Sequence, residues 1–272
     1  MVDYVDIDRF GHDDIDAFLA LAATEGWVCD RWEFEFLLAQ FPSGCLTARR
    51  EGELVGYITS IKYDTSGWIG NLIVSSDCRG QGVGTALMER ALEALVKAGA
   101  ATVWLTASKQ GKPIYERLGF MVVDVVNRWV GQGLGKISSE PAACSRDALL
   151  AIDRAGWGDR RESIIDASVR RGRIFHAGES FLVSQSSSDG IQLGPWGGLD
   201  RRASALLNDA LLDAGKGVKV LLDVPIRNTT QTDFLLGRGF SIRGSTLLMC
   251  RGTLPAYAPE SVYALASMGS MG

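Results

Sequence analysis

The chain has 272 residues, of which 46% are hydrophobic and 22% are charged, and these values are typical of a water-soluble globular protein. Its net charge of −4 gives no electrostatic reason to expect a nucleic-acid partner or an acidic membrane surface. No apolar run approaches the roughly 18 residues that a spanning helix needs, and the N-terminus lacks a secretory signal pattern. We therefore expect a cytoplasmic protein, monomeric or homodimeric, that is long enough for two domains.

Cysteine and histidine patterns give no indication of a cross-linked or metal-binding protein. None of the five cysteines belongs to a Cys-x-x-Cys pair (Cys29, Cys45, Cys78, Cys144 and Cys250). The thiols are therefore predicted to be reduced. The two histidines, His12 and His176, are far apart in sequence, so we expect no metal site.

Hydrophobic periodicity predicts alternating strands and helices along the first 131 residues. The predicted elements are a strand over 2–7, helices over 11–23 and 30–41, hairpin strands over 45–50 and 54–62, a strand over 68–74, a helix from residue 85, a strand over 102–106, a short helix over 111–119, and strands over 120–123 and 125–130. Pro42 ends the second helix and Gly99 ends the long one.

A glycine-rich loop connects the strand over 68–74 to the long helix. Its sequence, Arg79-Gly80-Gln81-Gly82-Val83-Gly84, places three glycines in five positions. A helix N-terminus has unpaired N–H groups and a partial positive charge, and glycine lets a phosphate approach the backbone closely. The loop fails the dinucleotide fingerprint because Thr85 occupies the last glycine position, and it lacks the P-loop lysine. It therefore predicts binding of a different phosphate-bearing ligand.

The spacing Arg79-x-x-Gly82-x-Gly84 after a buried strand resembles the acyl-CoA loop of the GNAT family of N-acetyltransferases. A second motif, Tyr115-x-x-x-Gly119-Phe120, follows at the place where that family shows one. The resemblance implies that acetyl-CoA is the cosubstrate and that the loop holds its diphosphate (Arg79, Gly80, Gln81, Gly82, Val83, Gly84 and Thr85).

The same resemblance implies roles for residues outside the loop. Backbone groups of Leu72, Ile73 and Val74 would pair with the pantetheine arm, and one N–H would polarise the thioester carbonyl. Ser108 stands where the family often has asparagine, which is a departure, although its hydroxyl can also bond pantetheine. Tyr115 would lie near the sulfur and act as the general acid.

The second half of the chain repeats the first. Gly239-Phe240 lies 120 positions after Gly119-Phe120, and residues 205–211 match residues 86–92 at an offset of 119. At the matching loop, Gly82 and Gly84 correspond to Arg201 and Ala203, whose side chains would obstruct a pyrophosphate.

This pattern resembles tandem-GNAT proteins with an Acetyltransf_18-type C-terminal domain. The resemblance implies an α/β fold of two tandem GNAT-like domains, each a twisted mixed β-sheet flanked by helices. We expect a catalytic domain over residues 1–131, a linker over 132–139 and a degenerate second domain over 140–272, whose segment 262–266 is either a closing strand or a short segment that covers the domain junction.

The implied reaction is transfer of an acetyl group from acetyl-CoA to a primary amine by direct attack in a ternary complex. A lysine-like amine has a pKa near 10.4, so only about one molecule in a thousand is free base at neutral pH and a general base is useful. The strand over 68–74 carries no carboxylate. Glu25 and Asp30 are candidates, with Trp27 at the edge of the acceptor cleft, and an N-cap role for Asp30 is the alternative.

Three functions remain open from the sequence. The first is an acetyltransferase for a small-molecule amine, which we favour because a second domain beside the acceptor site predicts a closed cleft. The second is an enzyme that acetylates a protein N-terminus or lysine. The third is a non-catalytic acyl-CoA sensor.

Overall fold

The structure is a computed structural model that describes residues 5–135, 144–200 and 202–272. Part of the predicted strand over 2–7, part of the predicted linker over 132–139, and Arg201 lie outside the described residues. The chain divides into two compact units, Met1–Leu105 with Gly269–Met271 and Thr106–Met268 with Gly272. No helix among the described residues is both long enough and apolar enough to cross a membrane.

The first unit alternates helices and strands much as the periodicity predicts. Its elements are β1 (Asp6–Arg9), α1 (Ile15–Thr24), α2 (Arg31–Gln40), β2 (Leu46–Arg50), β3 (Glu53–Lys62), β4 (Ser66–Val74), α3 (Val83–Lys97) and β5 (Thr102–Ala107). Strands β1 to β4 pair in sequence order, each antiparallel to the next, and β4 pairs in parallel with β5. The sheet is therefore mixed.

Aromatic side chains and the long helix form the core of the first unit. Phe18 of α1 and Phe34 of α2 lie with their ring centroids 4.4 Å apart, and both rings are fully buried. Helix α3 packs on β4 so closely that a Cβ at Gly67 would lie 2.6 Å from a Leu95 methyl carbon. This packing holds the last turns of α3 against the start of β4.

The second unit has a larger mixed sheet. Its elements are α4 (Lys112–Arg117), β6 (Met121–Gln132), α5 (Arg146–Trp157), α6 (Glu162–Arg171), β7 (Gly172–Ala177), β8 (Ser180–Ser187), β9 (Gly190–Gly198), α7 (Ala203–Asp213), β10 (Lys219–Pro225), α8 (Thr229–Leu236), β11 (Ser241–Gly252) and β12 (Val262–Ala264). The strand order is β11-β6-β10-β9-β8-β7, and β12 pairs with β9 as the predicted closing strand. Only the β9–β10 pair among these is parallel.

The strands predicted over 120–123 and 125–130 form one continuous strand, β6, so the predicted break at Asp124 is wrong. Asp124 is buried, and its carboxylate accepts hydrogen bonds from the Val125 N–H over 2.7 Å and from the Tyr257 hydroxyl over 3.2 Å. A polar residue with partners can continue a buried strand.

Strand β6 also explains why the compact units differ from the sequence repeats. It lies between β10 and β11 and pairs antiparallel with both, so it packs with the second unit although it ends the first repeat. The predicted boundary after residue 131 describes the repeats and stays a prediction. The order β2-β3-β4-α3-β5-α4-β6 recurs as β7-β8-β9-α7-β10-α8-β11, as the duplication hypothesis expects.

Candidate functional site

The glycine loop leads directly into α3 and has a backbone that requires glycine at two positions. Gly80 has a φ of 74° and Gly82 a φ of 87°, both in the left-handed region that side chains disfavour. An added Cβ at either glycine would meet nothing within 4 Å. The left-handed φ angles, and not crowding by neighbouring atoms, therefore require glycine at these two positions. Open space lies beside the backbone of the loop.

The start of α3 has the chemistry of an anion site. Gly82 is the N-cap and offers no side chain to the first N–H groups, which have no carbonyl partner within a helix. The first turn carries no acidic residue. Partial positive charge at this end of the 15-residue helix is therefore free to act on a ligand in the adjoining space.

Arg79 and Glu25, both predicted site residues, are in direct contact. The Arg79 guanidinium donates to Glu25 Oε1 over 2.6 Å and to the Val74 carbonyl oxygen over 2.9 Å. The guanidinium is about half exposed, with 47% of the side-chain surface accessible. Arg79 therefore lies against the end of β4 with a carboxylate as its partner, and Glu25 is engaged as a counterion.

Strand β4 separates from β5 beside the loop. Their parallel pairing joins Ser66, Gly67 and Trp68 to Thr102, Val103 and Trp104, and it includes no later residue of these two described strands. Leu72 and Val74 are partly exposed, whereas Ile73 is buried. The segment predicted to pair with pantetheine therefore lies beyond the ladder to β5.

A bulge in β4 brings together polar groups that the sequence did not single out. The register against β3 shifts between Tyr57 and Thr59, and Asn71 at this bulge has a φ of 54°. The Asn71 amide donates to Glu33 Oε1 and to Thr59 Oγ1, each over 3.0 Å. The Thr59 hydroxyl donates to the Gly70 carbonyl oxygen over 3.4 Å. The bulge therefore carries a connected network that ends in a carboxylate.

Residues 269–271 lie against the same bulge. A Cβ at Gly70 would lie 2.4 Å from the Gly269 carbonyl oxygen, and the Tyr63 hydroxyl donates to the Met271 carbonyl oxygen over 2.5 Å. Ser270 is buried and hydrogen-bonds Glu33. Burial raises the pKa of the Glu33 carboxyl, the bonds from Asn71 and Ser270 oppose the rise, and the charge of Asp30 adds to it.

The remaining acceptor-side candidates lie before α2. Asp30 occupies the N-cap position of α2, where its carbonyl oxygen accepts from the Glu33 N–H over 3.1 Å, but its side chain makes no capping bond. Trp27 is 40% exposed. Trp27 and Asp30 therefore keep their candidate status without a described contact to the glycine loop.

Ser108 and Tyr115 belong to the second unit. The Ser108 hydroxyl accepts from the Gly111 N–H over 3.1 Å just before α4, and Asn228 makes the equivalent bond to the Gln231 N–H before α8. Burial raises the pKa of Tyr115 to about 12, and its ring packs edge-on against Phe120. Tyr115 is therefore protonated at neutral pH.

Glu33 is the site residue that sequence reasoning missed. One signal was available, because Glu33 lies four positions before the buried Leu37 and beside the buried Phe34, on the apolar side of α2. A carboxylate on that side needs an explanation. Among the described residues, no group of three or more His, Cys, Asp or Glu side chains is placed to hold a metal ion.

Two comparisons with known proteins match only part of the chain. Residues 13–120 match the model of the acetyltransferase (GNAT) family. An uncharacterised N-acetyltransferase of Methanocaldococcus jannaschii is 32% identical over 110 residues, which are 37% of this chain and 49% of that protein. The match therefore spans about half the length of this curated relative.

Solved structures share the fold over nearly the whole chain. A proposed acetyltransferase of Pyrococcus horikoshii superposes on this chain with a TM-score of 0.85 at 22% sequence identity. The match covers 98% of this chain and 96% of the P. horikoshii chain. A GCN5-related N-acetyltransferase of Sphaerobacter thermophilus gives a TM-score of 0.62 at 13% identity, covering 94% and 98%. At such identities the likeness concerns the fold.

Proposed function

From the match of residues 13–120 to the acetyltransferase (GNAT) family model, we propose that the protein transfers an acetyl group from acetyl-CoA to the primary amine of a small molecule. The observation that carries the proposal is the pair of left-handed glycines, Gly80 and Gly82, which open onto space at the start of α3. Such a backbone suits close approach of a diphosphate to the amides of residues 80–85. Arg79 adds a charged donor.

The strand that leads into the loop supports the orientation of acetyl-CoA. Leu72, Ile73 and Val74 continue β4 past its pairing with β5, which supports a role for their backbone groups on that side in pairing with pantetheine amides. Acetyl-CoA supplies an activated thioester whose carbonyl carbon the amine attacks. An N–H of this segment would polarise that carbonyl.

Tyr115 and Ser108 complete the proposal on the side of the leaving group. The pKa of Tyr115, about 12, keeps the phenol protonated so that it can donate to the departing sulfur. Complete proton transfer to a thiolate, whose thiol pKa is near 8.5, would be uphill by roughly 3.5 pKa units, or about 5 kcal/mol. Hydrogen-bond donation is therefore its main expected contribution. Ser108 is proposed to bond the pantetheine arm.

A small acceptor is favoured over a protein by residues 269–271. They contact Gly70 and Glu33 and so cover part of the β4 bulge, which would leave less room there for a protein chain than for a small amine. The M. jannaschii relative is described as an N-acetyltransferase, which agrees with an amine acceptor.

Two measurements on the full chain test this function. Calorimetric titration with CoA should show saturable binding, and free-thiol release from acetyl-CoA should depend on an added amine from a panel of ethanolamine, spermidine, lysine and a short peptide. Binding without turnover on any amine would favour an acyl-CoA sensor. Turnover on the peptide α-amine alone would favour a protein acceptor, and absence of CoA binding would remove the proposal.

A further inference from the structure

We propose that the Glu33 carboxylate accepts a proton from the ammonium form of the acceptor amine. The inference deepens the proposed acetyl transfer and rests on it. The general base would then lie on α2, since β4 carries no carboxylate. Glu33 takes this role in place of Glu25, whose carboxylate accepts a hydrogen bond from Arg79 over 2.6 Å.

Geometry places Glu33 beside the segment that would hold the thioester. Its Oε1 accepts from the amide of Asn71 over 3.0 Å, and Asn71 directly precedes Leu72 in β4. The left-handed φ of 54° at Asn71 marks the point where the strand leaves its regular register with β3. A backbone strain of this kind is tolerated where the surrounding structure fixes it, and such positions are concentrated at functional sites.

The network holds the carboxylate in one orientation. Asn71 also donates to Thr59, and the Thr59 hydroxyl donates to the Gly70 carbonyl oxygen, so Thr59 holds both Gly70 and Asn71. Ser270 hydrogen-bonds Glu33 from the opposite part of the chain. A base positioned by neighbours needs little reorganisation when it meets the amine.

The electrostatic surroundings strengthen Glu33 as a base. Burial and the charge of Asp30 raise the pKa of Glu33, whereas hydrogen bonds from Asn71 and Ser270 lower it. Cys29 is the other titratable neighbour, and burial together with Glu33 and Asp30 raises its pKa to about 12, so its thiol remains neutral. A carboxyl whose pKa lies above its usual range accepts a proton from an ammonium more readily.

The proton balance follows from the acceptor's charge. The ammonium loses one proton to Glu33, which passes it to water, and the free amine attacks the thioester carbonyl carbon. The new C–N bond forms as the C–S bond breaks. The second amine proton leaves with formation of the neutral amide, and the sulfur departs as the thiol of CoA, so one proton is released per turnover.

Glu33→Gln tests the assignment with a shape-matched side chain. On ethanolamine or spermidine its kcat/KM should fall by about 10²-fold or more, whereas its affinity for CoA should be unchanged. Glu35→Gln, on the exposed side of the same helix, is the matched control and should retain full activity. Methoxyamine, which is already unprotonated at neutral pH, should restore most of the loss, because it needs no base before attack.

The fall of kcat/KM at acidic pH, the acidic limb of the pH profile, gives a second test, because the pH at which it occurs depends on the pKa of the base. A residue with only a structural role would not change that pH. Asn71→Gly removes the amide but suits the positive φ, and it should shift the limb of kcat/KM to higher pH. Asp30→Asn keeps the side-chain shape and removes a charge that raises the Glu33 pKa, so it should shift the limb to lower pH.

Each result separates this inference from the function on which it rests. An active wild type with an unchanged Glu33→Gln variant would overturn the inference alone, as would equal losses on alkylamines and on methoxyamine. The inference would also be overturned if Asn71→Gly and Asp30→Asn did not shift the acidic limb of kcat/KM in opposite directions. A wild type that acetylates no amine would overturn the proposed function and the inference together.

Discussion

Arg79 and Glu25 lie 54 positions apart in sequence and meet through a hydrogen bond of 2.6 Å at the mouth of the glycine loop. The pair couples a predicted cosubstrate-binding cation to a predicted acceptor-side carboxylate. Because both side chains are partly exposed, the ion pair adds little to stability, and its main effect is on the charge that a diphosphate would meet.

Glu25→Gln should therefore tighten CoA binding by about two- to threefold at low salt, and the gain should shrink as salt screens the site. Arg79→Ala should weaken CoA binding. Calorimetric titration at two salt concentrations measures both effects, with Glu93→Gln, which breaks an exposed pair with Arg90 on α3, as the control. A Glu25→Gln variant with normal CoA affinity but lost turnover would instead make Glu25 the acceptor-side base.

Gly82→Ala should weaken CoA binding by about tenfold or more, which corresponds to about 1.4 kcal/mol. The reason is that its φ of 87° cannot be kept without strain, so the amides at the start of α3 would shift. The variant should also lose about 1 kcal/mol of stability. Titration calorimetry and thermal melting measure the two effects.

Gly99→Ala provides the matched control for that variant. Gly99 follows the other end of α3 with a φ of 84°, and a Cβ there also meets nothing within 4 Å. It should cost similar stability and leave CoA affinity unchanged. Equal CoA affinities in the two variants would mean that the loop does not hold the cosubstrate.

The local part of the architecture could be predicted from the sequence. The strand predicted over 68–74 is Ser66–Val74, and the helix predicted from Thr85 begins at Val83. Both come from signals that neighbouring residues carry, namely an apolar run, glycines and a periodic stripe. The GNAT resemblance was carried by the same short motifs, and the family match over residues 13–120 confirms it.

The acceptor side could not be predicted because its contacts join distant parts of the chain. Glu33 meets Asn71 across 38 positions, and Tyr63 meets Met271 across 208. A helix pattern identifies Glu33 as unusual but cannot name its partner. The bulge at Asn71 depends on the register of β3 against β4, which local periodicity does not specify.

Tyr115→Phe should lower turnover by about 10²-fold and leave CoA affinity nearly unchanged, because it removes only the donor to the departing sulfur. Ionisation of this phenol should cause no loss of activity below its pKa of about 12. Steady-state kinetics with acetyl-CoA and ethanolamine, together with CoA titration, provide the test. Unchanged turnover would remove Tyr115 from the mechanism.

Tyr257→Phe is the control for that variant within the same unit. Its hydroxyl donates to the buried Asp124 over 3.2 Å, so the loss should cost about 1 to 3 kcal/mol of stability without reducing turnover at temperatures where the variant is folded. A similar fall in turnover in both variants would attribute the effect of Tyr115→Phe to damaged packing.

Ionisation of Glu33 should make the folded protein less stable as pH rises. Glu33→Gln should remove this loss of stability. Its pKa is raised in the folded state, so the folded protein holds the proton more tightly than the unfolded chain does. The stabilisation is fully present below the ordinary glutamate pKa near 4.3 and is lost as pH rises through the folded value.

Glutamine does not ionise, so the melting temperature of Glu33→Gln relative to wild type should rise across this interval, whereas Glu35→Gln should follow wild type throughout. Calorimetric melting from about pH 4 to about pH 9 measures the difference, and a Glu33→Gln variant that loses stability relative to wild type towards neutral pH would show that the carboxylate is stabilised rather than strained in the fold.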